Sequence, residues 1–251
     1  MKFDSSTLVF AGIIPARFAS TRFPGKPLVD ISGKPMIRHV YEKSKNVFET
    51  VYVATDDKRI FDTVVNFGGN AVMTSERHKS GTDRCAEAVE IIQKHLDKKI
   101  DVVVNIQGDE PFIAEEQLKA IKELFGDNQT QIATLIKQFA DDEDIFSPNS
   151  PKVVVSNANE ALYFSRSPVP FIRNSEKETW QKQFEFFKHI GLYAYRTEIL
   201  KQLAALPQGK LEKAESLEQL RWLENGYRIK VAITDIENYA VDTPADLIRF
   251  I

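Results

Sequence analysis

Short, nearly continuous apolar runs alternate with amphipathic stretches through the first 125 residues. The runs cover 8–14, 50–54, 71–73 and 101–106, and the amphipathic stretches cover 36–47, 58–67, 83–96 and 115–125. In 83–96, Cys85, Ala88, Val89 and Ile92 follow i, i+3, i+4, i+7 spacing, with Leu96 extending the same face, so a helix is expected there. Strands that are apolar on both faces and alternate with helices predict an α/β fold: a mostly parallel sheet flanked by helices.

The rhythm changes after about residue 130. Runs at 132–136, 152–156, 161–164 and 190–195 read as strands without long helices between them. They predict a smaller mixed or antiparallel extension over roughly 130–200, folded over one edge of the sheet. Residues 141–144 form an acidic run, read as a solvated loop. The charged and aromatic stretch 174–188 reads as a surface excursion or dimer contact. A helix over 216–225 stopped by Gly226, a strand over 228–233 and a last helix opened by Asp242-Thr243-Pro244 return the chain to α/β. With no repeat and no linker, residues 1–251 are expected to form a single domain.

The bulk numbers narrow the function classes. A chain of 251 residues, 43% hydrophobic, can bury a full core. Its net charge of −3 provides no global field for nucleic acid or an anionic membrane, and neither partner is expected. Cys85 is the only cysteine, which excludes an intrachain disulfide and a cysteine zinc cluster. The first ten residues lack the charge and apolar pattern of a secretory signal. No apolar run approaches the roughly 20 residues of a membrane-spanning helix. A soluble cytoplasmic protein is expected.

Anion binding must then come from local clusters, and one follows the first strand. The segment FAGIIPARFASTRFPGKPL empties a buried strand into a loop carrying Arg17, Arg22 and Lys26, with Gly25 directly before the lysine. Three cations and a glycine that admits close backbone approach suit a polyphosphate. The loop is neither G-x-x-x-x-G-K-[ST] nor G-x-G-x-x-G, which sets it apart from P-loop and dinucleotide-binding fingerprints. A second cluster, DVVVNIQGDEP, delivers Gln107, Gly108, Asp109 and Glu110 to the edge of the sheet where ligands bind in such folds. Carboxylates beside a triphosphate call for a cation between them, and Mg²⁺ is the natural one, with Asp109 as the candidate ligand. As a bare residue, Asp109 also suits a helix N-terminal position.

Other residues read two ways. Asp242 in AVDTP is a candidate second ligand, although the residue alone reads more simply as a helix N-cap. Ser80–Arg84, SGTDR, suits either nucleobase or ribose hydrogen bonding or plain helix capping. His39, His78 and His95 read as uninvolved, whereas His189 and Arg166 stand next to apolar strands where polar groups are less expected.

Taken in order, IPARFASTRFPGKPL, YVATDD, SGTDR, VNIQGDEPF, ALYFSRSPVP, KHIGLYAYR, LEKAESLEQLRWLENG and VDTPADL resemble the 3-deoxy-manno-octulosonate cytidylyltransferase family. The resemblance runs across nearly the whole chain apart from 139–150 and 174–188. It implies a Rossmann-like nucleotidyltransferase fold, a Mg²⁺ cofactor, a cytoplasmic homodimer, and conversion of CTP and Kdo to CMP-Kdo and pyrophosphate for the lipopolysaccharide inner core. It implies catalytic roles for Arg17, Lys26 and Asp109, and nucleotide binding by Arg17, Gly25, Lys26, Arg84 and Gln107. Asp109 and Asp242 match the Mg²⁺ ligands, and Arg166, His189, Tyr193, Glu215 and Gln219 match the sugar-acid pocket. Phe18 stands where the family often has tyrosine, and Phe23 where leucine is common. Alternatives are a related sugar acid (8-amino-Kdo or a sialic acid) or an inactive nucleotide-binding homologue.

Overall fold

Successive residues of the first strand go to opposite sides of the sheet, and each side has its own helices. The computed structural model describes residues 8–19, 23–241 and 243–249. Its strands are β1 (Phe10–Ala16), β2 (Asp30–Ile31), β3 (Lys34–Pro35), β4 (Thr50–Thr55), β5 (Ala71–Met73), β6 (Val102–Asn105), β7 (Ile132–Gln138), β8 (Lys152–Val155), β9 (Ala161–Ser165), β10 (Phe187–Arg196) and β11 (Ile229–Ile233). The helices are α1 (Met36–Lys45), α2 (Lys58–Asn66), α3 (Gly81–Leu96), α4 (Glu115–Glu123), α5 (Trp180–Gln183), α6 (Thr197–Ala205), α7 (Lys210–Glu215) and α8 (Gln219–Glu224).

The main sheet runs β11-β7-β10-β6-β1-β4-β5. β6, β1, β4 and β5 pair in parallel, as do β11 and β7, while β10 is antiparallel to both β6 and β7. Ala11, Ile13, Tyr52, Ala54, Val103, Tyr193 and Tyr195 pack on one face with α3, α6 and α8. Phe10, Ile14, Val51, Val53, Val102, Val104 and Ala194 pack on the other with α1, α2 and α4. The period-2 alternation of side chains thus builds two cores from one set of strands.

Three features differ from the sequence expectation. The stretch over 130–200 does not only fold over an edge: β7 and β10 lie inside the main sheet, and the β8–β9 hairpin branches from β10. The first strand does not stop at Pro15, since Pro15 and Ala16 pair with Ala54 and Thr55. The ladder with β6 has ended by then, at Ile13 opposite Asn105, so β1 is bonded on one side only, where proline is tolerated. The helix expected over 216–225 is preceded by a second one, and Ser216 separates α7 from α8 in a left-handed conformation, φ 50°.

The 174–188 excursion carries a small core of its own, Trp180 and Phe186 packed with Phe139 and Ile145. After β11, the chain returns across the ligand-binding edge of the sheet. There the Val241 N–H donates to the Asp109 carbonyl at 2.9 Å.

Candidate active site

From β1 the chain moves to β4 on one side and later to β6 on the other, so the crossover direction reverses at the β1–β6 boundary. Ligands bind at that switch point in open α/β sheets. A cleft of about 260 Å³ lies there, lined by Pro15–Arg17, Lys26, the start of α3 and Gln107–Asp109. Two glycines let its walls close on the end of β1. A Cβ at Gly108 would sit 3.0 Å from the Pro15 carbonyl oxygen, and one at Gly81 would sit 3.3 Å from the Pro15 ring.

The sheet brings together residues 83 positions apart. Lys26 Nζ donates to Asp109 Oδ2 at 2.7 Å, and exposed Arg17 lines the same cleft. Gly25 stands back from the cleft. Its φ of 72° is the left-handed region that glycine supplies without strain, and its N–H closes the loop by donating to the Phe18 carbonyl at 3.0 Å. The glycine therefore shapes the loop that carries Lys26.

At the start of α3, Ser80 Oγ accepts the Asp83 N–H at 3.1 Å, the capping alternative of the SGTDR motif. That cap leaves the positive end of a 16-residue helix facing the cleft. Arg84 lines the cleft while buried, held by Asp56 Oδ2 at 2.8 Å and Thr74 Oγ1 at 2.7 Å. Gln107 also lines it, and its Nε2 is spent on the Gly191 carbonyl at 3.0 Å. His78 and Lys79 line the cleft as well, and the His78 ring is hydrogen-bonded to the Glu87 carboxylate.

Glu110, next to Asp109, is buried, and burial followed by the neighbouring Asp109 charge pushes its carboxyl up to about 7, against a 2.6 Å hydrogen bond from Asn238. Asp242, like Arg22, lies outside the described residues. Val241 is bonded to Asp109, and the final turn, Pro244–Arg249, is capped by Asp246, which accepts from Thr243 N at 2.8 Å and Thr243 Oγ1 at 3.0 Å.

The five sugar-pocket candidates are not among the residues lining the cleft; Arg166 pairs with Glu215 and His189 with Tyr193, and the β10 segment between the latter two meets the cleft where Gln107 bonds Gly191. Arg166 Nε, Nη1 and Nη2 donate to the carbonyls of Glu215, Pro148 and Ser216. The Glu215 carboxylate in turn accepts from Ser165 Oγ and the Arg166 N–H. His189 and Tyr193 rings lie 5.1 Å apart, and Tyr193 meets Trp222 edge-on at 5.1 Å. Tyr193 Oη and Gln219 Nε2 are buried without a hydrogen-bond partner among the described residues.

The cytidylyltransferase family model matches residues 11–231. A 3-deoxy-manno-octulosonate cytidylyltransferase of Parabacteroides distasonis is 59% identical over 242 residues, 95% of each chain. The chain belongs to this family. Its relative of the same description in Phocaeicola vulgatus is 58% identical, covering 96% of this chain and 95% of that one. A solved CMP:2-keto-3-deoxy-manno-octonic acid synthetase complexed with CTP is 41% identical, with a TM-score of 0.86 over 96% of each chain. The fold class expected from the strand–helix rhythm is the one found. Among the described residues no helix is long and apolar enough to cross a membrane.

Proposed function

We propose that this cytidylyltransferase transfers CMP from CTP to Kdo, releasing pyrophosphate, for assembly of the lipopolysaccharide inner core. The observation that carries the reading is the meeting of Lys26 and Asp109 at the β1–β6 cleft, beside Arg17 and the N-terminus of α3. The names of the 58–59% identical relatives supply the sugar acid.

The reaction is an in-line displacement. The anomeric 2-hydroxyl oxygen of Kdo forms a bond to the α-phosphorus of CTP, the bond from that phosphorus to the β-bridging oxygen breaks, and the hydroxyl proton passes to solvent water. Arg17 and Lys26 grip the β- and γ-phosphates and offset charge on the departing pyrophosphate. The α3 N-terminus, with Ser80 and Gly81, faces the remaining phosphate oxygens. Arg166 presents a guanidinium to the Kdo carboxylate, while His189, Tyr193, Glu215 and Gln219 hold its hydroxyls. Catalysis is then mainly positioning and electrostatics.

Mg²⁺ fits the donor set. Among the described residues no cluster of three or more His, Cys, Asp or Glu could hold a metal, but Mg²⁺ needs only one or two carboxylates when substrate phosphates complete its shell. The Asp109 carboxylate already takes a cation, the Lys26 ammonium, on its cleft-facing oxygen. Asp109 and Asp242 would hold the ion, which when bound neutralises phosphate charge and polarises the attacked phosphorus.

A homodimer is proposed through the excursion before β10. Phe171 (72% exposed), Phe184 (41%) and Phe146 (38%) ring the buried Trp180–Phe186 pair. Exposed aromatic patches of this kind mark protein contacts. The cytoplasm is the compartment proposed, since the nucleoside triphosphate substrate is a cytoplasmic metabolite.

Pyrophosphate release with CTP, Mg²⁺ and Kdo tests the assignment. It is repeated with the other three nucleoside triphosphates and with 8-amino-Kdo and N-acetylneuraminate in competition. Release with CTP and Kdo above all other pairs is expected; none with Kdo overturns the reading.

A further inference from the structure

We infer that Arg59, at the start of α2 and outside the cleft, is a positioning residue: it clamps Phe18 and so fixes where Arg17 and Lys26 stand. The Arg59 guanidinium carbon lies 3.3 Å from the centroid of the Phe18 ring. Asp57 holds that guanidinium from its own helix, Oδ1 accepting from Nε at 2.9 Å and Oδ2 from Nη2 at 2.6 Å. Asp57 Oδ1 also accepts the Arg59 backbone N–H at 2.9 Å, capping α2, so the clamp is anchored to the helix end.

The clamped ring closes the loop. The Phe18 carbonyl accepts the Gly25 N–H at 3.0 Å, and a Cβ at Gly25 would lie 3.0 Å from Cε2 and Cζ of the ring. The Cε2–Cζ edge thus rests on the glycine turn. Arg17 precedes Phe18 and Lys26 follows Gly25 in the chain, so both phosphate-facing cations hang from the two clamped residues. An ion pair as exposed as Arg59–Asp57, with 60% of the arginine side chain accessible, adds little to fold stability. What it holds in place are Phe18 and Gly25, and residues held before binding lose less entropy when the ligand arrives.

The inference rests on the reading of Arg17 and Lys26 as triphosphate ligands. Calorimetric binding of CTP and of CMP to the full-length chain separates the two. R59A is expected to weaken CTP about two- to fivefold, the range of an exposed cation–π contact. CMP, which lacks the β- and γ-phosphates, should bind R59A as it binds wild type. F18L should match R59A, R59A/F18L should be no worse than either single variant, and F18Y should behave as wild type. Wild-type CTP affinity in R59A, additive losses in the double variant, or equal weakening of CTP and CMP would each overturn the clamp. K26A is the control: CTP binding unchanged in K26A overturns the loop assignment and the clamp with it.

Discussion

Lys26 Nζ and Asp109 Oδ2 lie 2.7 Å apart, the lysine coming from the loop after β1 and the aspartate from the loop after β6. Neither loop could form the pair alone. The parallel register that sets Ile13 opposite Asn105 is what carries both chain ends to one cleft.

Replacing Lys26 by Ala should lower kcat/KM for CTP by about 10²–10³, the range for removing one donor from a charge-stabilising site. D109N should lose at least as much, and raising Mg²⁺ should not restore it. Because the pair is partly exposed, at 12% and 33% of the two side chains, the melting temperature of either variant should move by only a few degrees. Steady-state kinetics with CTP and Kdo over a Mg²⁺ series, beside thermal melts, check both halves. A D109N enzyme with wild-type turnover would remove Asp109 from the metal site.

The β1–β6 crevice depends on a missing side chain. A Cβ at Gly108 would sit 3.0 Å from the Pro15 carbonyl oxygen, a backbone atom that cannot swing aside. G108A should destabilise the protein by about 1–3 kcal/mol through overpacking, and should raise KM for CTP as the two loops part. Urea unfolding and CTP saturation curves measure the two effects. A G108A protein as stable as wild type would mean that the loops yield without cost.

Much of this was legible in the sequence, for physical reasons. The strand–helix rhythm follows from apolar runs, and the ligand-facing edge follows from polar residues at strand ends such as Gln107–Asp109. The left-handed turn at Gly25 was not legible, because a glycine before a lysine reads alike with or without one. β10 was not legible as a central strand either: KHIGLYAYR gives its strand character but not its neighbours, which are set by pairing with residues more than 50 positions away. Arg166 reads as a free cation in sequence, whereas the fold ties its guanidinium to backbone carbonyls.

That tether gives a substrate-specific prediction. Arg166 donates to three carbonyls and, among the described residues, pairs with no carboxylate through its guanidinium, so its charge is left for a ligand. R166K keeps the charge but loses the fork that holds Glu215, Pro148 and Ser216 together. KM for Kdo should rise about tenfold, the worth of one charge-assisted hydrogen bond, and KM for CTP should change by less than about twofold. Two-substrate kinetics decide it: equal rises in both constants would place Arg166 in the general fold, not the sugar site.

His189 makes the acid limb of stability a readout of the same cluster. Burial pushes its imidazole down to about 3, with Thr134 Oγ1 at 3.0 Å and the Phe164 and Tyr193 rings against it. In the unfolded chain the same group titrates near 6.5. Between those values the unfolded state binds the extra proton, so stability falls as pH drops through 6.5 toward 3. Between pH 7 and pH 5 this one group should remove about 2 kcal/mol, since it is protonated in the unfolded chain and still neutral in the fold. H189Q keeps a polar side chain without a titrating ring, so its loss over the same interval should be smaller by that amount. Urea unfolding of wild type and H189Q at pH 7 and pH 5 supplies the four free energies; equal losses in the two proteins would show that His189 is already protonated in the fold at pH 5.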